Sequence, residues 1–412
     1  MLKLFKIAVR NLSRYKRRTL LTSSLIALGV MFVLVFIAAS ESFKYLMISQ
    51  ITDSMLGHLQ VHRQGYVASI DSLPLTLNLS AKAEKKLEKA LEEIPEVEAF
   101  SPRIKFGGMF SNFIDTTNIR VNGVYPELEM ATAPLFLSRI KQGEKSIQEG
   151  KILIPELLAK GMKAEVGDTV VVIATNQDGS VNGRQFVVGG IIESVTGPGG
   201  RDGYMHIHDA KELLRMEEME ISELAIRLKD FDKLNIVYDR LKKLLAGESN
   251  PQGKPIFEIH TWEKLSPFSN VARMINVMTF FIRLMLIAIV LVSVMNVMIM
   301  AVFERIREIG TISAIGTKPG KILSLFLIEG LSLGFLGVVV GNVLAVAVVF
   351  ILNLVKVSFN FGRQIGLTLS PRLNAVDILL ISLVVIVVSV IAALQPAYKA
   401  SRMEPVEALR HV

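Results

Sequence analysis

Two histidines two residues apart, His206 and His208 in YMHIHDA, are the first side chains in this sequence whose types and spacing suit chemistry. On a strand, such a pair shares one face and, with Asp202 nearby, could begin a metal site. No third ligand stands at a diagnostic spacing, His58 and His62 belong to no HExxH pattern, and the chain has no cysteine, so no metal site is assigned. GTKPGKI (316–322) has glycine and lysine, but the spacing is wrong for a phosphate-binding loop and Ile322 stands where Ser or Thr would hold magnesium. GPGGRDG (197–203) reads as a flexible loop, and no Ser-His-Asp or nucleophile-elbow pattern emerges, so no catalytic residue is assigned either. What remains is a charged stretch, FERIREIGTISAIGTKPGKI (303–322), set between two apolar runs.

Its surroundings decide what such a stretch can touch. With 51% hydrophobic and 20% charged residues over 412 positions, the chain is too apolar for a soluble protein of its size. Four uncharged runs, Thr19–Ser40, Leu284–Phe303, Gly330–Val355 and Ile378–Tyr398, each reach roughly the 20 residues that cross a hydrocarbon core. The net charge of +8 raises nucleic-acid binding as a function, yet residues 43–270 carry 27 Lys/Arg against 31 Asp/Glu while the remainder carries 19 against 7. Basic residues therefore flank the spans, the signature of cytoplasmic loops, and no nucleic acid is expected as a partner.

Lys3, Lys6, Arg10, Arg14 and Lys16–Arg18 place the N-terminus in the cytoplasm, and four spans return the C-terminus there. The expected order is a cytoplasmic amphipathic helix (1–18), span one (19–42), a large outer domain (43–270), a stalk and span two (271–303), and a cytoplasmic segment (304–321). Span three (322–355), an outer loop (356–374), span four (375–398) and a cytoplasmic tail (399–412) follow. Lys356, Arg363 and Arg372 make the outer loop a mild exception to the charge rule. For residues 1–18, with Phe5, Ala8, Val9 and Leu12 on one face, a disordered basic tail is the alternative. A signal peptide ending at Ala38-Ala39-Ser40 is a rival for the first forty residues, although the apolar run is about twice the length such peptides use.

The fold class expected is thus an α-helical membrane domain of four transmembrane helices with a large α+β extracytoplasmic domain inserted between helices 1 and 2. In that insertion SAKAEKKLEKALEEI (80–94) reads as an amphipathic helix capped by Ser80, and residues 151–194 as a β subdomain with turns at Asp178-Gly179 and Asn182-Gly183. Helix over 209–216, strand over 223–230 and helix over 231–247 suggest an α+β unit built from both ends of the insertion. In span three, Gly330, Gly334, Gly337 and Gly341 form one stripe, suited to close packing against another helix, with loose lipid-facing glycine as the alternative. Glu329 precedes the stripe near the cytoplasmic interface, where a carboxylate is tolerated.

Within the charged stretch, Ile306, Ile309 and Ile312 recur at helical spacing beside Glu304, Arg305, Arg307 and Glu308, and Arg305 can pair with Glu308 at i,i+3. It reads either as a connector anchored by snorkelling side chains or as a docking helix for a cytoplasmic partner, with Gly310 and Gly316 as breaks.

These motifs carry a resemblance. AVRNLSRYKRRTLLT at the start, ERIREIGTISAIG after span two, FLIEGLSLGFLG in span three and PAYKASRMEPVEALR at the end are similar to the FtsX-like permeases of ABC transporters, and the chain looks nearest the lipoprotein-releasing members. The resemblance implies a non-catalytic permease in the bacterial inner membrane that dimerises, as homo- or heterodimer, on a cytoplasmic ABC ATPase dimer which alone binds ATP and Mg. Glu304, Arg305, Arg307, Glu308, Ile309, Gly310, Ile315 and Gly316 would be the ATPase-coupling residues. The absence of an ATPase domain departs from the fused macrolide-exporter type, and the implied cargo is lipoprotein. The alternatives are export of peptides or small hydrophobic compounds with a periplasmic adaptor, or a signalling scaffold acting on a cell-wall enzyme.

Overall fold

The computed structural model describes Arg10 and residues 16–194, 201–249, 253–361, 364–404 and 408. The amphipathic helix expected over 1–18 lies almost wholly outside these residues, as do positions 197–200 of the glycine loop and most of the tail beyond 404. The chain divides into a unit of residues 1–45, 272–359 and 366–412 and a second of residues 46–271 with 360–365.

In chain order, α1 (Lys16–Ile51) ends in a π-helical turn, Thr52–Leu56, and is followed by β1 (Leu59–Arg63), α2 (Ala81–Glu92), β2 (Val97–Ser111) and β3 (Thr116–Val124). Then come α3 (Pro126–Thr132), β4 (Ile140–Gly143), β5 (Lys151–Pro155), α4 (Glu156–Met162), β6 (Thr169–Thr175) and β7 (Val181–Ile192). After these lie β8 (Gly203–His206), α5 (Ile207–Leu213), β9 (Glu223–Leu228), α6 (Leu234–Leu245), β10 (Phe257–Thr261) and the single turn α7 (Trp262–Leu265). The last third is helical: α8 (Ser269–Glu304), α9 (Ile306–Ala314), α10 (Pro319–Val355), a hairpin of β11 (Ser358–Phe361) and β12 (Gln364–Thr368), and α11 (Ala375–Ser401).

Four of these helices, α1, α8, α10 and α11, are long and apolar enough to cross a membrane among the described residues. Their shared core takes Val30 and Leu34 from α1, Leu286, Val290, Val294 and Met298 from α8, Phe326 and Leu333 from α10, and Val385 and Ala393 from α11. The four-residue spacing in α8 puts one stripe inward, while Phe280, Phe281 and Met285 remain exposed on the face that lipid would cover. Arg283, which looks like an interruption of span two, lies within an unbroken α8 and pairs with Asp377 of α11 at 3.2 Å.

The second unit is organised by β2, whose fifteen residues join the two parts of one ten-stranded sheet. Its first half pairs with β9, and β9, β1 and β10 extend that side antiparallel, with strands from both ends of the insertion side by side. Its second half pairs with β3 on one edge and β6 on the other. The path β2-β3-β8-β5-β7-β6 then returns to β2, so six strands close on themselves around Phe106, Phe110, Val172, Phe186, Val188 and Met205. Closure leaves these six strands without free edges along most of the ring. Residues 151–194 are thus one arc of a ring completed by β2, β3 and β8, not a sheet of their own. The β6–β7 turn falls at Asn176–Ser180, with Gly179 at φ +83, whereas Asn182-Gly183 is paired strand because Thr175 faces Val181 across the hairpin.

Where β2 changes partners, Arg103 is buried with its charge spread over two carboxylates. Nε and Nη2 donate to Glu129 of α3 at 2.9 and 2.8 Å, and Nη1 donates to Glu223 at the start of β9 at 2.9 Å. Lys105 lies 3.2 Å from the other oxygen of Glu223, and His62 3.5 Å. Burial alone pushes the Glu223 carboxyl up, but Lys105, the contact with His62 and Arg103 outweigh it and hold it well below the usual glutamate value. A carboxyl depressed in the fold contributes stability that is complete above its unfolded value, roughly 4.3, and lost as pH falls toward the folded value. Glu223→Gln is therefore expected to flatten the acid limb of thermal stability below about pH 4, read by melting the detergent-solubilised chain across pH. Arg103→Met, which leaves the buried Glu129 carboxylate without its cation, is expected to cost about 3–5 kcal/mol in the same assay.

Candidate functional site

The charged stretch between α8 and α10 folds around a break in the helix. Arg305 leaves helical geometry at φ −116, ψ 16, yet its N–H still reaches the Val302 carbonyl at 3.2 Å and its own carbonyl accepts from Ile309 N–H at 2.9 Å. The chain therefore turns into α9 without exposing its backbone polar groups to an apolar interior. At the far end Gly316 adopts φ +92, a conformation favouring glycine, and Pro319 opens α10 at its first turn.

At the break, Arg305 Nη1 donates to Glu329 Oε1 of α10 at 2.8 Å, with the two side chains 5% and 3% exposed. A guanidinium sealed from water needs such a partner, because the alternative is a lone charge in a low-dielectric site. The reading of Arg305 as a snorkelling or i,i+3 surface charge is corrected here: it is an interior residue with a carboxylate partner 24 positions away. Arg305 and Glu329 each stand twelve residues from Thr317, so a helical hairpin turning at Thr317 brings them level. That symmetry was the available signal.

The pair fixes which residues of the stretch face out. Ile306, Ile309 and Gly310 are buried, whereas Glu304, Arg307, Glu308, Thr311 and Gly316 are exposed. Ile312 is 42% exposed and Ile315 82%, so the apolar stripe splits into a buried half and an open tip. Thr311 Oγ1 donates back to the Arg307 carbonyl at 2.8 Å, tightening the exposed turn. The segment thus presents Glu304, Arg307 and Glu308 beside an apolar tip at Ile312 and Ile315.

The glycines of α10 set how closely its neighbours approach. A methyl at Gly330 would lie 2.5 Å from Ala393 Cβ and one at Gly334 2.4 Å from Ser389 Oγ, both on α11. At Gly337 and Gly341 the same methyl would meet Ile26 Cγ2 at 2.5 Å and the Ala27 carbonyl at 2.8 Å, both on α1. Two glycines therefore receive α11 and two receive α1, with Asn342 donating to Ser382 of α11 at 3.0 Å. Glu329 is thereby held at the end of the glycine-packed stretch of α10.

Comparison with known proteins gives the family. Residues 280–405 match the family described as FtsX-like permease C-terminal, and residues 19–244, more than half the chain, match the MacB-like periplasmic core domain. The chain belongs to the FtsX-like permeases. The permease is 24% identical to the lipoprotein-releasing system transmembrane protein LolC of Neisseria meningitidis over 98% of both chains. It is 22% identical to LolE of Haemophilus influenzae, over 93% of this chain and 92% of that one. With the macrolide export ATP-binding/permease protein MacB of Nitrobacter winogradskyi it shares 25% over 95% of its length and 58% of the relative's. It is an ABC transporter permease of the Lol and MacB type.

Gly334→Leu in this permease is expected to force α10 and α11 apart and lower the melting temperature in detergent by several degrees, as overpacking of a filled contact does. Gly320→Ala, at a position with open space around it, is expected to leave the melt unchanged.

Proposed function

We propose that the permease receives the stroke of a separate cytoplasmic ABC ATPase dimer through residues Glu304–Gly316 and uses it to release lipoproteins from the bacterial inner membrane. The observation that carries this reading is the Arg305–Glu329 pair. It anchors one side of α9 in the helix bundle and leaves Arg307, Glu308, Ile312 and Ile315 on the exposed side, where another protein can cover them. A docking element must be both exposed and stiffly referenced to what it moves, and α9 meets both demands. Glu304, Arg307, Glu308, Ile315 and Gly316 would touch the ATPase, while Arg305, Ile309 and Gly310 would hold the segment's shape.

ATP and Mg are bound by the partner in this scheme, and a second permease chain, identical or homologous, completes the transporter. The termini are cytoplasmic and residues 43–270 extracytoplasmic, a threading that the basic flanks of the spans support. Alignment with LolC over nearly all of both chains supports lipoprotein as cargo. The match to the MacB-like periplasmic core favours the second reading, in which motion of the large domain drives a periplasmic adaptor and expels peptides or small hydrophobic compounds.

The test is reconstitution of the permease with its co-purifying ATPase in liposomes carrying a labelled lipoprotein. ATP-dependent release is expected, and Glu308→Arg and Gly310→Pro should each depress it about tenfold or more. Release without ATP, or unchanged release in both variants, would remove the coupling assignment. ATP-dependent release of a hydrophobic dye with no lipoprotein release would select the second cargo.

A further inference from the structure

The two histidines met first in the sequence gain in the structure the third donor they lacked. They do not share a strand face: β8 ends at His206, which caps α5, and His208 lies in the first turn of that helix. The junction folds their rings to 4.8 Å between centroids, and Glu149, from the turn before β5, places Oε1 3.4 Å from His206 Nδ1 and 3.1 Å from His208 Nδ1. We propose that Glu149, His206 and His208 bind a divalent transition-metal ion of the zinc class. This assignment is independent of the transport reading.

The spacing suits such an ion. Ligands at roughly 2.0–2.1 Å from a tetrahedral ion stand about 3.3–3.4 Å apart, close to both nitrogen-to-oxygen distances found here. The hydrogen-bond roles suit it as well. His206 Nδ1 accepts the His208 backbone N–H at 3.3 Å, which makes that nitrogen the unprotonated one, and an ion would take over its lone pair from this long hydrogen bond. Its approach to the Glu149 carboxylate is then acceptor against acceptor, an arrangement that a cation between them converts from repulsive to favourable.

The surroundings hold the donors in place. Gly150 takes φ +75, and its N–H donates to Asp209 Oδ2 at 2.7 Å, which fastens the Glu149 turn to the start of α5. Asp209 is itself held by Arg184 at 3.1 Å. Glycine at 123 lets α5 lie close on β3, since a methyl there would meet Ala210 Cβ at 2.4 Å. Tyr125 stands edge-on to both rings, at 6.3 and 5.8 Å. Such outer contacts fix ring orientation in metal sites. Glu84 and Glu88 of α2 act on Tyr125 with the same sign of charge, and burial with Glu88 pushes the Glu84 carboxyl up to about 7.

Access and selectivity follow from the same residues. Glu149 and His206 form one wall of a groove of about 750 Å³ shared with Tyr125, Leu128 and Ile147, and His208 is half exposed. An ion can enter, and a position remains for water or an incoming ligand. Two imidazoles and one carboxylate suit zinc, copper or nickel, whereas magnesium and calcium favour sets of oxygen donors.

The experiment is titration of Zn²⁺ into the metal-stripped, full-length permease in detergent against a chromophoric chelator, with thermal stability read in parallel. One tight equivalent is expected, with a rise in melting temperature and no displacement by millimolar Mg²⁺. His208→Ala and Glu149→Gln, both at exposed positions, should melt like the parent without zinc but bind it at least about tenfold more weakly and lose the zinc-induced rise. Equal affinity in the parent and both variants, or no binding in the parent, overturns the proposal. So does binding abolished only by His260→Ala, which would move the ion to the cluster of His62, Glu258 and His260.

Discussion

A single ion pair, Arg305 with Glu329, sets the constraint under which the membrane unit is built. A guanidinium and a carboxylate hidden from water are tolerated only together, so wherever α8 stops, α10 must bring its carboxylate. That requirement fixes the offset between the two helices, and with it the length of the connection that α9 and its flanking turns must fill. Burial of Ile306 and Ile309 follows from the same placement, because the residues just after Arg305 are drawn toward the bundle. The glycines of α10 then transmit the position of Glu329 to α1 and α11 by close packing without flexible intermediates.

The large domain solves a similar problem with similar parts. Arg103 sits where β2 leaves β9 and enters the closed ring, as Arg305 sits where α8 leaves helical geometry. In each case the backbone changes its regular partner at a buried arginine that reaches a glutamate from a distant element. Guanidinium geometry explains the choice: its planar fork holds two oxygens of Glu129 and one of Glu223 at once, which a lysine ammonium could not orient. Apolar residues of equal volume would be as stable or more so. What the charges add is register, because a shift of β2 by one residue would strand Arg103 without either carboxylate.

Legibility from sequence tracked the range of the interaction. The four spans, the helix after Ser80 and the strand at 223–228 are short-range patterns and could be read directly, and the Ser80 hydroxyl does accept the Ala83 N–H at 3.4 Å. Asn182-Gly183 misled because a dipeptide favouring turns is overruled when the hairpin register is set by Thr175 facing Val181. Closure of the six-stranded ring was invisible, since it depends on β2 meeting β6 over some sixty residues of intervening chain. Asp377 opposite Arg283 and Glu149 beside the two histidines escaped notice for the same reason, being single partners from remote segments with no periodicity to mark them. Of the proposed coupling residues, the exposed charges were recognisable by type, but which of the two neighbouring arginines faced inward was not, as helical spacing alone permits either.

The backbone differs in kind at the two ends of the large domain. Both chain segments that lead from the spans into the large domain do so as helix: α1 runs unbroken to Ile51 and α8 begins at Ser269. At the first junction, α1 passes into the π-helical turn Thr52–Leu56, where Asp53 is held by Arg227 and Ser49 and the turn closes on Gly57 at φ +72. Single π-helical turns cost regular hydrogen bonding and persist where geometry must be re-aimed. The junctions therefore differ in kind: α8 is a regular helix from end to end, whereas α1 finishes in an irregular turn clamped by charge. Within the large domain, closure opposes distortion along most of the ring, because shear between neighbouring strands would break hydrogen bonds on both sides of each.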